Sequence, residues 1–411
     1  MAQSVLCVLW CCFSFVLIYT SVHGAPRKHP YSDYLENRMK ALSEMNNVFA
    51  FRLYKRIASG AQSQNVFFSP LSVSMTLAAL SLGAGGETHQ QLLSGLGFNS
   101  SLFTTEEMHQ AFLDLLQNLN QRTELDLNMG SAVYVNNTFN PRPEFLENLN
   151  RFYLSEGFSV DFKNTSETSD QINNYVSEKT HGKIKKFIEN LDTRTIMYLL
   201  SYIYFKGKGT SFFPDTRVDQ FHVDEKTTVP VQMMYMNDGC FSYDQQLSVI
   251  LFHLNYYYSF SMILALPFKN ITILEEGLRP HHITRCQDRI SEDYINVFVP
   301  KLSLKTSYSL KSILSEMGFM DMFTAKANFS GISDENLLVS EAVHKAALDI
   351  DVNEIRARTA VTGMGFRRYP RRHYSVTKFN RPFMIFIVDK KTNNIFFMGK
   401  IVNPANSDVH Q

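Results

Sequence analysis

The chain has 411 residues, 45% hydrophobic and 13% aromatic, with 40 Lys and Arg against 39 Asp and Glu for a net charge of +1. That length and apolar content suffice for one large core or two ordinary domains, and the near-neutral balance excludes the broad positive field of a nucleic-acid binder. Any basic cluster is therefore a local feature.

The first predicted element is a leader. Val5 to Tyr19 is apolar and the small-residue pattern Val22-His23-Gly24 follows, so residues 1–24 read as a secretory signal cleaved near Gly24–Ala25. The apolar run is short for a membrane span, so the expectation is a secreted, extracellular chain with no membrane segment, although the leader lacks Lys and Arg before that run. Cys7, Cys11 and Cys12 lie in the leader; Cys240 and Cys286 remain. A domain of this size needs no disulfide framework, and sequence alone does not place those two within bridging range; free thiols are narrowly favoured over a pair. Secretion gives meaning to Asn-x-Ser/Thr at Asn99, Asn136, Asn164, Asn270 and Asn328, five candidate glycosylation sites.

After the leader, Ala25 to Tyr31 is polar and reads as a loose arm, and Leu42, Met45, Phe49 and Leu53 recur at helical spacing. In "NVFFSPLSVSMTLAALSLGAGGET", Ser69 is placed as an N-cap, Pro70 as the first helical residue and Gly83 to Gly86 as the stop. Thr104 and Glu107 have capping-box spacing before a second amphipathic helix. Strands follow: "LDLNMGSAVYV" partly alternates, and "TIMYLLSYIYFKG" is a nearly continuous apolar run, as a central strand buried on both faces requires. "FSMILALPF" and "YINVFVPKLSL" read as one strand each, and "PFMIFIVDKKTNNIFFMGKIVNP" as a hairpin turning at Lys390 to Asn394. With no low-complexity linker and no internal repeat, one α+β domain with a large sheet is the economical reading.

Motifs for catalysis are missing: no His-Glu-x-x-His, no Gly-x-Ser-x-Gly, no phosphate loop and no Cys-x-x-Cys after the leader. The glycines of "GAGGET" follow a helix and act as a helix stop. His281-His282 and "HGKIKKF" read as solvated surface, not as metal or anion sites. The sequence points away from an enzyme and calls for no cofactor or metal.

One segment stands out. "DVNEIRARTAVTGMGFRRYPRRHYSVTKFNRPF", from Asp351 to Phe383, is long, basic and flanked by strand-like sequence. The surrounding stretches explain it. "NVFFSPLSVSMTLAALSLGAGGETHQQLLSGLGFN", "INNYVSEKTHGKIKKFI", "LLSYIYFKGK", "SEAVHKAALDIDVNE" and "FNRPFMIFIVDKKTNNIFFMGKIVNP" resemble, in order, the serpins of the secreted antitrypsin and antichymotrypsin group. The resemblance implies helices packed around three β-sheets with an exposed reactive-centre loop, here about 352–377, in a domain over 48–405 preceded by the arm and first helix start at 25–47 and followed by a tail at 406–411. It implies a shutter of Ser69, Ser72, Ser201 and His344, with Ser201 replacing a usual asparagine.

In that family a protease attacks the loop, and the cut loop inserts into the main sheet before the acyl-enzyme is released. The resemblance places the reactive bond at Arg368–Tyr369, with Arg367, Arg371 and Arg372 as neighbouring alternatives, and implies a trypsin-like serine protease as partner. A polyanion at the basic loop is an alternative partner. The hinge departs from the inhibitory pattern: Glu354 stands for glycine, Ile355 for threonine, and Arg356 and Arg358 for Glu and Ala, beside Ala357 and Thr359. Losing the glycine removes backbone freedom where the loop must fold in. The expectation is a monomeric serpin that inhibits weakly or not at all; the alternatives are a working inhibitor of an arginine-specific protease and a carrier of a small apolar ligand.

Overall fold

The computed structural model describes residues 30–122, 126–206, 215–256, 259–288, 294–350 and 376–410. Helix α1 (Pro30–Gly60) begins inside the stretch expected to be a loose arm, because proline's fixed φ suits a first helical position. Leu42, Met45, Phe49 and Leu53 form its buried stripe. Strand β1 (Val66–Phe68) is wholly buried and leads into α2 (Pro70–Ser81). Ser69 caps α2 by accepting the Ser72 amide at 3.1 Å, with Pro70 next. Every residue of α2 is buried, which marks a core helix beneath a sheet. Helix α3 (Gly86–Leu96) stops at Gly97, whose φ of 81° suits glycine. Helix α4 (Thr105–Asn120) opens with the expected capping box: Thr104 Oγ accepts the Glu107 amide at 3.2 Å and Glu107 accepts the Thr104 amide at 2.7 Å.

The six-stranded sheet contains β2 (Asp126–Asn136), β3 (Glu156–Val160) and β4 (Met197–Lys206), with α5 (Pro143–Tyr153) between the first two and α6 (Thr165–Lys179) before the third. The next segments are β5 (Asp215–His222), β6 (Thr228–Asp244), β7 (Val249–Tyr256), β8 (Phe260–Pro267), α7 (Ile271–Gly277) and α8 (Pro280–Asp288). Then come β9 (Tyr294–Pro300), β10 (Leu302–Ser309), α9 (Lys311–Glu316) and β11 (Val339–Ile350). The last are β12 (Val376–Lys378), the hairpin β13 (Phe383–Asp389) and β14 (Ile395–Ile401), and β15 (Asp408–His410).

The six-stranded sheet runs β15-β10-β11-β4-β2-β3, with β4 central and nine of its ten residues buried. Here β4 and β11 are parallel neighbours, while each is antiparallel to its outer partner, β2 or β10. The other strands form one nine-stranded ladder that bends at β6, where the register shifts between Met236 and Gly239. One arm of the bend holds β5, β9 and β12; the other holds β7, β8, β13, β14 and β1. The result is a three-sheet α+β fold.

Two sequence expectations need correction. "YINVFVPKLSL" is two strands, not one. Pro300 ends β9, and β10 joins the other sheet; a proline gives no ladder amide and marks the break. His282 is buried, not solvated, and its Nδ1 accepts the Arg279 amide at 3.0 Å, whereas His281 is exposed.

The main apolar core lies between the sheets and α1, α2 and α4. A second cluster, with Tyr134, Phe162, Ile172, Val176, Phe187, Tyr198 and Tyr202, lies on the outer face of the six-stranded sheet beneath α6 and the segment 180–191.

Candidate functional site

The parallel pair β4–β11 is a seam at the middle of the sheet, each of its strands antiparallel to its other neighbour. His344 of β11 stands opposite Ser201 of β4 and is fully buried. Its Nε2 accepts the Ser69 amide at 3.0 Å, and its Nδ1 lies 2.9 Å from Ser201 Oγ. A backbone amide only donates, so Nε2 is the unprotonated nitrogen and Nδ1–H donates to Ser201. Burial pushes the ring's pKa down to about 3, against a weaker upward pull from Ser201. Ser72 Oγ donates to the Tyr202 carbonyl of β4 at 3.2 Å. The four expected shutter residues thus meet: one neutral ring clasps both seam strands to the N-terminus of α2, and Ser201 supplies the contact on β4.

A cover lies over the seam's outer face. Asn173 of α6 accepts the Phe187 and Ile188 amides at 2.6 and 2.9 Å and donates to the Ile188 carbonyl at 3.1 Å, which fixes the segment after α6. Lys345 of β11 donates to the Lys186 carbonyl at 3.0 Å and sits 5.6 Å from the Phe187 ring centre. Burial lowers the Lys345 pKa, with Glu189 opposing. Tyr198 and Tyr202 of β4 and Ala347 of β11 pack under the same cover, so it spans both strands. In "HGKIKKF" the lysines are exposed as expected, but Ile184 and Phe187 are anchored in this cluster. Sequence reasoning missed Lys345 and Asn173. A lysine alternating with Val343 and Ala347 on one strand face was a usable signal; Asn173 offered none.

The reactive bond candidates Arg367, Arg368, Tyr369, Arg371 and Arg372, and the hinge residues Glu354 to Thr359, fall in 351–375, outside the described residues. So do the leader and the side chains of Cys240 and Cys286. Of the five sequons, Asn99, Asn164, Asn270 and Asn328 are exposed; Asn136 is half-buried and its amide donates to the Thr195 carbonyl at 3.3 Å. At Asn99 the Ser101 hydroxyl donates to the Asn Oδ1 at 2.7 Å. Among the described residues no group of three or more His, Cys, Asp or Glu is arranged for a metal ion, and no helix is long and apolar enough to cross a membrane.

The comparisons agree with this architecture. The family model for serpins (serine protease inhibitors) matches residues 44–404. Alpha-1-antichymotrypsin of Pongo abelii is 38% identical over 378 residues, 89% of each chain. Alpha-1-antiproteinase 2 of Equus caballus is 38% identical over 363 residues, 87% of this chain and 86% of that protein. The crystal structure of human thyroxine-binding globulin in complex with thyroxine superposes with a TM-score of 0.82 at 31% identity, covering 89% of this chain and 99% of that one.

Proposed function

The chain belongs to the serpin family, and on that premise we propose that it is a secreted, monomeric glycoprotein that presents a reactive-centre loop at about 352–377 to serine proteases and inhibits them weakly or not at all. The parallel β4–β11 seam carries this reading. A chain turning back from the end of β11 would run antiparallel to both seam strands, and it would find partners on both sides. The segment that follows β11 holds six arginines, and about ten of its residues would match the ten of β4.

The hinge sets the rate. Ile355, Ala357, Thr359 and Val361 would share one face of the inserted strand, toward the main core, with Glu354, Arg356 and Arg358 on the other. That second face must pass beneath the cover held by Lys345 and Asn173. The inserted product is stable; opening is slow, and a cut loop then releases the protease before insertion traps it. Arg368–Tyr369 is the bond assigned to an arginine-specific protease, and the arginines also suit a polyanion.

The alternative of a small-ligand carrier is supported by a cleft of about 800 Å³ between α1, α4 and the β13–β14 turn, with Leu35, Met39 and Leu115 beside Lys40, Arg122 and Asn393, and by the likeness to thyroxine-binding globulin.

Incubation with trypsin, followed by a denaturing gel and residual activity, tests the reading. The expected result is a nick near Arg368 with protease activity retained. An SDS-stable complex lost in Arg368→Ala would overturn it in favour of a working inhibitor. A raised melting temperature after the nick is expected, because insertion completes the seam.

A further inference from the structure

Strands β6, β7 and β8 lie side by side, and their ends set a pair of rings on the surface. Tyr243 near the end of β6 and Phe268 just after β8 are each 54% exposed, more than any other Phe or Tyr among the described residues. The rings meet edge to face, their centres 5.6 Å apart at 90°. The backbone beneath them is fixed. Tyr243 pairs with Ile250 of β7, Val249 pairs with Pro267 of β8, and the Phe268 amide donates to the Ser248 carbonyl at 3.0 Å. A third apolar side chain, Ile273 of α7, is 53% exposed. Rings held this firmly in water mark a surface that has a cover.

The attachment point for a cover lies two residues further on. Asn270 opens the sequon Asn270-Ile271-Thr272 and is exposed. Its Oδ1 accepts the Thr272 amide at 3.0 Å and caps α7, while Nδ2, the atom that carries a glycan, makes no hydrogen bond among the described residues. A sugar there displaces no contact. Asn164 is the instructive contrast, because it too follows a phenylalanine by two positions. Phe162 is fully buried, however, and the Asn164 Nδ2 donates to Glu167 at 2.5 Å. Residues two apart have Cα atoms within about 7 Å of each other, so the first sugar on Asn270 reaches the Phe268 ring. A pyranose has one face made of C–H groups, which packs on an aromatic face while its hydroxyls stay in water.

We propose that an N-linked glycan on Asn270 folds back onto the Phe268–Tyr243 pair, its first N-acetylglucosamine packed on the exposed face of Phe268. This deepens the reading of the chain as a secreted glycoprotein and rests on it; it is independent of whether the loop traps proteases. The glycan is then a structural part of the molecule. It shields two rings from non-specific association and ties the ends of β6 and β8 to the start of α7.

The full-length chain, secreted from a glycosylating host, tests it. Peptide mapping is expected to find Asn270 occupied. Thr272→Ala abolishes the sequon but keeps the Asn270 cap, and is expected to lower the melting temperature by about 1–2 °C. Phe268→Ser is expected to cost as much when the glycan is present and nothing in the Thr272→Ala background, a coupling that independent sites do not show. Tyr243→Ser behaves likewise, more weakly. Trimming each glycan to its innermost sugar leaves the melting temperature unchanged, whereas stripping the whole glycan with an amidase lowers it as Thr272→Ala does. The proposal fails if Asn270 is bare on a chain glycosylated elsewhere. It fails equally if Phe268→Ser has one effect in both backgrounds, which would leave the rings to a protein partner. A chain secreted with no glycan at any sequon would overturn the glycoprotein reading itself. Should a variant not fold, the trimmed and stripped forms of the native chain decide.

Discussion

In the two strands of the β13–β14 hairpin every residue is buried, the strands run antiparallel, and the charged groups packed against them are locked in place. Lys400, 2% exposed, lies 3.2 Å from Glu275, and buried Asp389 lies 2.6 Å from Arg122. Separating either pair would strand a buried charge at a cost of about 3–5 kcal/mol. The β4–β11 seam is built otherwise. Its strands are parallel, its clasp is a neutral histidine between a backbone amide and a serine, and opening that clasp strands no charge. One region is fastened by contacts too costly to exchange, whereas the clasp of the other consists of neutral hydrogen bonds of about 1 kcal/mol each, which a new strand can replace.

The sharpest way to break this contrast is Gly399→Ala. A Cβ there would lie 2.0 Å from the Val66 carbonyl oxygen and 2.9 Å from Phe67 Cα, both backbone atoms of β1. The expected loss is about 3 kcal/mol or more, or failure to fold, read from urea unfolding. His344→Ala attacks the seam instead. It leaves the Ser69 amide and Ser201 unpaired over a small cavity, for a loss of about 2–4 kcal/mol by the same measurement. A seam variant as costly as the hairpin variant would erase the distinction.

Acid gives a graded test. Burial pushes His109 and His253 down to about 4 and His344 to about 3, from an ordinary 6.5. Each folded pKa lies below its unfolded value, so this stability is fully present above pH 6.5 and is lost as pH falls toward 4 and then 3. The slope is at most about 1.4 kcal/mol per pH unit for each histidine. Urea midpoints that do not move between pH 7 and pH 4.5 would contradict it. The smallest effect is expected from Lys345→Met, which keeps the stem's packing and loses the bond to Lys186. The predicted change is about 1 kcal/mol in stability, with faster appearance of the heat-resistant form after loop cleavage.

Much was legible locally. Ser69 and Pro70 at the start of α2, and the Thr104–Glu107 box, could be read directly because caps are made by residues three positions apart. The burial of β4 followed from its unbroken apolar run, and the hairpin from two apolar runs around Lys390 to Asn394. The shutter set came from the resemblance, and its geometry needed coordinates. Nothing in the spacing of residues 69, 201 and 344 says that one ring meets the other two.

Where most elements begin, which faces are apolar and which family the chain resembles could be read from residue order, because those signals act within a few residues along the chain. Tertiary structure alone decided that Pro300 divides two sheets and that His282 is buried. It also decided that Lys345 reaches the Lys186 carbonyl and that the tail pairs with β10. These depend on contacts between residues as much as 159 and about a hundred positions apart, which no local propensity encodes and only the packing of whole sheets brings together.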